Sequence, residues 1–173
     1  CIYRPVKGSF AIDALLRGYK LGIIGSGDTH DGHPGQRSAG AVITGLVGIY
    51  STELTRDAVW ESFRRRHVYA TSGSKIILNF RVADSPMGSE VEWAYSNGAV
   101  PIAVRAIGCE DIKSVEIIRN GKTVLVKNGE GFISRFLVED ENISIGKYWY
   151  YCRVLQEDGH MAWSSPVWVT VRK

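Results

Sequence analysis

From Ile76 onward the chain alternates apolar residues with others: Ile76, Leu78, Phe80 and Val82, then Ile102, Val104 and Ala106. The same alternation returns at Tyr148, Tyr150, Cys152 and Val154, and again at Val167, Val169 and Val171. Successive side chains of a strand leave on opposite faces, so a period of two marks strands with one face buried. Asn120-Gly121, between Val115–Arg119 and Lys122–Val126, predicts a tight hairpin because both positions tolerate φ > 0. Further turns are expected at Ser96-Asn97-Gly98, Asn128-Gly129, Ile145-Gly146 and Asp158-Gly159. Several short strands at this spacing, with no helical period among them, predict an antiparallel sandwich over residues 74–173.

Residues 1–73 follow another rule. Phe10, Ile12, Ala14, Leu15 and Leu16 recur at helical spacing after Ser9, which is expected to cap a helix at about 10–19 that ends near Gly18. Leu21-Gly22-Ile23-Ile24-Gly25 then reads as a short buried strand, and Ala41 to Tyr50 as another. Thr55 is placed to cap a helix at about 56–66, in which Val59 and Phe63 lie one turn apart. Helix-period and strand-period stretches alternating in this way suggest an α/β segment. The chain is therefore expected to be mainly β with an α/β N-terminal part, divided into 1–73 and 74–173.

Composition narrows the function classes. The 173 residues are 45% hydrophobic and 23% charged, an ordinary globular balance that excludes disorder. No apolar run approaches the roughly 20 residues that a membrane-spanning helix needs. No signal-peptide pattern is visible, so a cytoplasmic setting is favoured and no membrane partner is expected. A net charge of +3 without a concentrated basic stripe gives no reason to expect nucleic acid. Three cysteines, Cys1, Cys109 and Cys152, lack the C-x-x-C spacing of a zinc knuckle.

The candidate chemistry lies in the polar loop from Ser26 to Gly35. In an extended backbone residues i and i+2 point the same way, so Asp28 and His30 are expected to project together from the end of the strand at 21–25. A carboxylate oxygen beside an imidazole nitrogen suits a divalent Zn, Mn or Fe ion. Asp31 and His33 are near enough in sequence to orient those ligands or add to them. Two ligands do not make a catalytic site, which takes three or more protein donors and a water. An Asp-x-His pair in a loop that binds nothing is the competing reading.

Ile24-Gly25-Ser26-Gly27-Asp28-Thr29-His30, followed by His33-Pro34-Gly35, resembles the last metal-ligand motif of the PHP (polymerase and histidinol phosphatase) family, in an uncharacterised branch. Leu54-Thr55-Arg56-Asp57-Ala58, Tyr69-Ala70-Thr71-Ser72-Gly73, Leu78-x-Phe80 and Met87-Gly88 continue the resemblance. It implies a (β/α)-barrel metal-dependent phosphoesterase in which divalent metals activate water. On this reading Asp28 and His30 are the final ligand pair, and the segment 1–73 holds the last strand–helix units of an incomplete barrel. The family's N-terminal His-x-His and its mid-chain ligands have no counterpart here. The fragment is thus expected to be inactive alone and to hold metal only within a complete parent protein. Its expected partners are the remainder of that parent or a second copy, with a small phosphoester as the parent's substrate.

Ile145-Gly146-Lys147-Tyr148-Trp149-Tyr150-Tyr151-Cys152-Arg153-Val154, followed by Trp163-Ser164 and Pro166-Val167, resembles the closing strands of an immunoglobulin or fibronectin type III module. The resemblance implies a tyrosine corner at Tyr148. Trp149, Tyr151 and Trp168 have the opposite parity, and either form an exposed aromatic platform or pack under residues 1–73. Arg64 and Thr71 are candidates to contact a substrate phosphate. The plainer readings are that the Arg64-Arg65-Arg66 run complements a helix C-terminus and that Thr71 closes a turn through its hydroxyl. Two functions follow: the C-terminal part of a PHP-like phosphoesterase with an accessory sandwich, or a non-catalytic β-sandwich binding module.

Overall fold

A computed structural model describes residue 6 and residues 8–27 and 44–173. Its elements are helices α1 (Ala11–Leu16) and α2 (Arg56–Arg64) and strands β1 (Leu46–Ile49), β2 (Val68–Thr71), β3 (Ile77–Val82), β4 (Ser85–Pro86), β5 (Glu90–Ala94) and β6 (Val100–Ile107). They continue with β7 (Ile112–Arg119), β8 (Lys122–Asn128), β9 (Ile133–Asp140), β10 (Gly146–Gln156), β11 (Met161–Ser164) and β12 (Val167–Arg172). The fold is mainly β. One sheet runs β1-β2-β11-β10-β12-β5, with β7 on the other edge of β10 and β8 beyond it; the second runs β4-β3-β6-β9. All pairings are antiparallel except β5 with β12.

The two sheets close on one core, as a sandwich does. Leu78, Phe80 and Val82 face Ile117, Tyr150, Cys152, Val167 and Val169 within it, all almost wholly shielded from solvent. These are the positions the period-two pattern selects. Asn120 (φ 48°) and Gly121 (φ 81°) both adopt the left-handed conformation, and β7 returns as β8 in the register that turn dictates.

Strand β10 has apolar contacts on both faces. Tyr150, Cys152 and Val154 enter the main core, while Trp149 joins Leu15 of α1 and Ile118 of β7 in a second cluster edged by Ile12, Tyr151 and Trp168. Trp149 and Tyr151 stack with ring centroids 6.1 Å apart. The aromatic face is therefore covered by α1 and is no open platform. Burying one side chain of Leu15's size contributes about 2 kcal/mol, so six helical residues suffice to hold this short helix in place.

Three local expectations are corrected. The cap of α1 is Phe10, whose N–H donates to the Asp13 carboxylate at 2.9 Å, while the Ser9 hydroxyl donates to the Val6 carbonyl. The stretch Leu21–Gly25 forms no strand, and Leu21 and Ile24 are exposed. Glycine explains the difference: a Cβ at Gly22 would sit 3.3 Å from Arg66 and Val68, and one at Gly25 only 2.6 Å from the Leu46 carbonyl oxygen. The run serves close backbone approach instead of burial. Third, β1 and β2 pair antiparallel, and β2 pairs with β11, so the main sheet extends across Gly73. The strand–helix–strand order of β1, α2 and β2 accordingly lacks the parallel pairing of a barrel unit. The predicted cap of α2 is present: the Thr55 hydroxyl accepts from Ala58 N–H at 3.3 Å.

Candidate metal centre

Asp28, His30, Asp31 and His33 lie outside the described residues. The backbone that leads to them is described as far as Gly27, and it is tightly held. A Cβ on Gly25 would approach the carbonyl oxygens of Leu46 and Thr71 at 2.6 and 2.9 Å, and one on Gly27 would reach the Thr44 Cβ at 2.7 Å. A Cβ on Gly45, facing them, would lie 3.0 Å from Ser26 N. Gly25-Ser26-Gly27 therefore lies flush along the start of β1 and the end of β2, with no space for a side chain at Gly25 or Gly27, while Ser26 between them is exposed. Upstream, Ile23 N–H donates to the Ser165 hydroxyl at 2.9 Å, and that buried hydroxyl donates to the Val68 carbonyl at 2.5 Å. The arm is thus bonded to the sandwich.

Thr71 ends β2 and is buried, with its Oγ1 accepting from Gly73 N–H at 3.2 Å. The turn reading accounts for that hydroxyl. Arg64 is exposed on the last turn of α2, where a cation complements the helix carbonyl end. Residues Arg64 and Thr71 belong to different elements, one on the helix and one at the far end of the following strand.

The structure also assembles a polar group for which the sequence offers no signal. Ser72 Oγ lies 3.0 Å from His160 Nδ1 and accepts from Met161 N–H at 2.9 Å. Beside it, Asp158 accepts from Gln156 Nε2 and from His160 N–H, and these bonds hold its carboxyl below the usual range. Buried Gln156 in turn accepts from Cys109 N–H at 2.9 Å. Ser72 and His160 are 88 residues apart and meet only because β2 pairs with β11. Ser72 directly follows Thr71, at the same end of the sheet as Gly25. His67 stands elsewhere, between α2 and β2; partial burial, together with Arg65 and Arg66, lowers its pKa.

Among the described residues no group of three or more histidine, cysteine or acidic side chains converges to hold a metal. Nor is any helix among them long and apolar enough to cross a membrane. Tyr148 has the local bonding of a tyrosine corner: its hydroxyl donates to the Ser144 carbonyl at 3.1 Å and accepts from Ser144 N–H at 3.0 Å.

A family model described as "Protein of unknown function (DUF3604)" matches residues 36–98, a span that contains β1, α2 and β2–β5. The chain is 30% identical over 195 residues to an uncharacterized protein of Chlamydia muridarum, with 95% of this chain and 31% of that protein covered. It is 31% identical over 190 residues to one of Chlamydia trachomatis, with the same coverage. A Chlamydia pneumoniae protein is 36% identical over 143 residues, covering 72% of this chain and 22% of its own length. The chain thus spans about a third or less of these relatives.

Proposed function

We propose that the chain is the C-terminal part of a PHP-like metal-dependent phosphoesterase, in which Asp28 and His30 supply two ligands of a divalent metal. The observation that carries this reading is the packing of Gly25 and Gly27, which leaves no room for any side chain immediately before the pair. A loop without a task has no need of two such glycines around a single serine. An arm that must present two donors at a fixed place does. One carboxylate and one imidazole suit Zn, Mn or Fe, with Asp31 and His33 orienting them. When bound, such a metal supplies Lewis-acid polarisation of a phosphoryl oxygen and acidifies a bound water. The residues of this chain hold and orient the metal, and the further ligands come from the rest of a longer protein or from a second copy. Within this reading, residues 1–73 carry the parent's last metal-ligand arm together with β1, α2 and β2, whose strands join the main sheet. The immunoglobulin or fibronectin III-like sandwich is the accessory domain that anchors them.

Manganese(II) tests the ligand pair without requiring an intact active site. Paramagnetic broadening of backbone amide signals detects even weak binding. Added Mn²⁺ is expected to broaden Gly25, Gly27 and Thr44 selectively, and the Asp28→Ala/His30→Ala variant should lose the effect. Uniform broadening, or selective broadening that survives the double substitution, would refute the assignment and leave the sandwich as a non-catalytic binding module.

A further inference from the structure

We propose that the outer face of the sheet β3-β6-β9 binds a phosphorylated small molecule, with Arg105 and Arg135 holding the phosphoryl group and Ile77 and Leu137 flanking its organic body. The strand register builds this face row by row. Asn79 lies opposite Arg105, and Arg105 lies opposite Arg135, so three polar side chains cross the sheet in a line. On one side is the row Ile77, Ile107, Ile133; on the other, Ala103 stands opposite Leu137. Ile77, Ile133 and Leu137 are 53%, 59% and 69% exposed, an unusual concentration of aliphatic surface for one sheet face. The Tyr50 ring borders the row, with its hydroxyl donating to the Leu78 carbonyl at 2.7 Å.

The two arginines oppose each other directly across the strand pair, with no carboxylate between them. Arg65, Arg66, Arg119, Arg153 and Arg172 each meet a carboxylate. Among the described residues, Arg105 and Arg135 meet none. The carboxylate on their own face, Glu139, is four residues beyond Arg135, about 13 Å along the strand. Arg81, next on β3, points its guanidinium at the Asp84 carbonyl. Directly opposed residues have Cβ atoms about 5 Å apart, and like charges so placed destabilise a sheet. An arrangement that costs stability when empty is consistent with a functional site whose ligand supplies the missing charge.

Size and charge point to the ligand class. Tyr50, Ile77, Asn79, Arg105, Arg135 and Leu137 line a concavity of about 940 Å³, within the range of small-molecule sites. Two arginines on directly opposed strand positions suit a dianion on one centre, because the three terminal oxygens of a phosphomonoester can accept from both forks. The aliphatic rows add affinity for an organic substituent that free phosphate lacks. The site does not depend on the Asp28 and His30 assignment.

The test is an NMR titration of the whole chain at low salt with inorganic phosphate, phenyl phosphate and benzoate. Phenyl phosphate is expected to shift the amides of Asn79, Arg105 and Arg135 saturably, binding several-fold more tightly than either other probe. Arg135→Gln should weaken it about tenfold, the loss of one charge-assisted contact. The same variant should unfold at an equal or higher temperature than the parent, because the like-charge opposition is relieved. Equal affinity for phosphate and phenyl phosphate would mean an adventitious ion only, and would overturn the proposal. So would scattered shifts that Arg135→Gln leaves unchanged.

Discussion

Asp140 ties the two sheets together, and removing it is expected to cost far more than an ordinary surface carboxylate would. It ends β9 in the smaller sheet and is 9% exposed. Its Oδ2 accepts from Arg119 Nη1 at 2.6 Å and from the Tyr150 hydroxyl at 2.9 Å, while its Oδ1 accepts from Asn142 N–H at 3.1 Å. Arg119 and Tyr150 belong to β7 and β10 of the larger sheet, and Tyr150 is fully buried. Burial, with the Asp140 charge beside it, pushes the Tyr150 phenol pKa well above its ordinary value, so the phenol remains a hydrogen-bond donor. Asp140→Ala leaves that hydroxyl without its acceptor inside the core and the Arg119 side chain, 21% exposed, with the Asn142 carbonyl and the face of the Tyr148 ring. An orphaned buried hydroxyl costs about 1–3 kcal/mol, and breaking a largely buried ion pair by removing one partner costs about 3–5 kcal/mol. These penalties overlap, and Arg119 keeps some water, so about 3–4 kcal/mol is expected for Asp140→Ala. Tyr150→Phe, which removes one bond and leaves the carboxylate two others, should cost about 1–1.5 kcal/mol. Urea unfolding of the two single variants and the double variant measures the coupling, provided the slope with urea is unchanged. A loss below about 1 kcal/mol for Asp140→Ala would refute the account. So would strictly additive effects in the double variant.

Two further outcomes follow from the packing and the titrating groups. Gly48→Ala places a Cβ 2.1 Å from the Tyr69 ring, which is fixed by its hydroxyl bond to the Ile76 carbonyl, and should destabilise by about 2–3 kcal/mol in urea unfolding; an unchanged midpoint would show that the ring moves freely. His67 titrates below its ordinary 6.5 because of partial burial, then Arg65 and Arg66, so the unfolded chain binds more protons just below pH 6.5. Stability should therefore fall as pH drops from about 6.5 towards the depressed value, and His67→Gln should flatten that part of the profile of thermal midpoint against pH; identical profiles would contradict the shift.

What the sequence shows of this fold is what neighbouring residues decide. The Leu78, Phe80, Val82 and Val167, Val169, Val171 alternations, the Thr55 cap and the Asn120-Gly121 turn depend on residues a few positions apart, and each is found as expected. Leu21–Gly25 shows the opposite case. Its apolar run resembles a buried strand, yet Gly22 and Gly25 fit against β1, β2 and Arg66, which lie 21 or more positions away. The β2–β11 pairing and the parallel β5–β12 pairing join segments about 75 to 95 residues apart, and no local period encodes them. The same distance hides the contact of His160 with Ser72. At the candidate metal centre, the motif's residue types were legible in the sequence. The reason for its glycines was not, because the atoms that crowd Gly25 belong to Leu46 and Thr71.

The sheet that crosses Gly73 changes what the sandwich contributes. Ser165 opens the turn into β12, and its buried hydroxyl donates to Val68 of β2 while accepting from Ile23 of the arm that leads to Gly25-Ser26-Gly27. One side chain of the C-terminal half thereby fixes both β2 and the arm that precedes Asp28. Lys20 and Arg66 reinforce the same seam by meeting Glu90, whose carboxyl they hold below its usual range, with Lys20 the stronger influence. A site built on this arm draws its geometry from the sandwich core, since a shift of β12 or β11 moves the backbone against which Gly25 is pressed. The β-rich half is a structural foundation for the arm, not an appendage hung behind it.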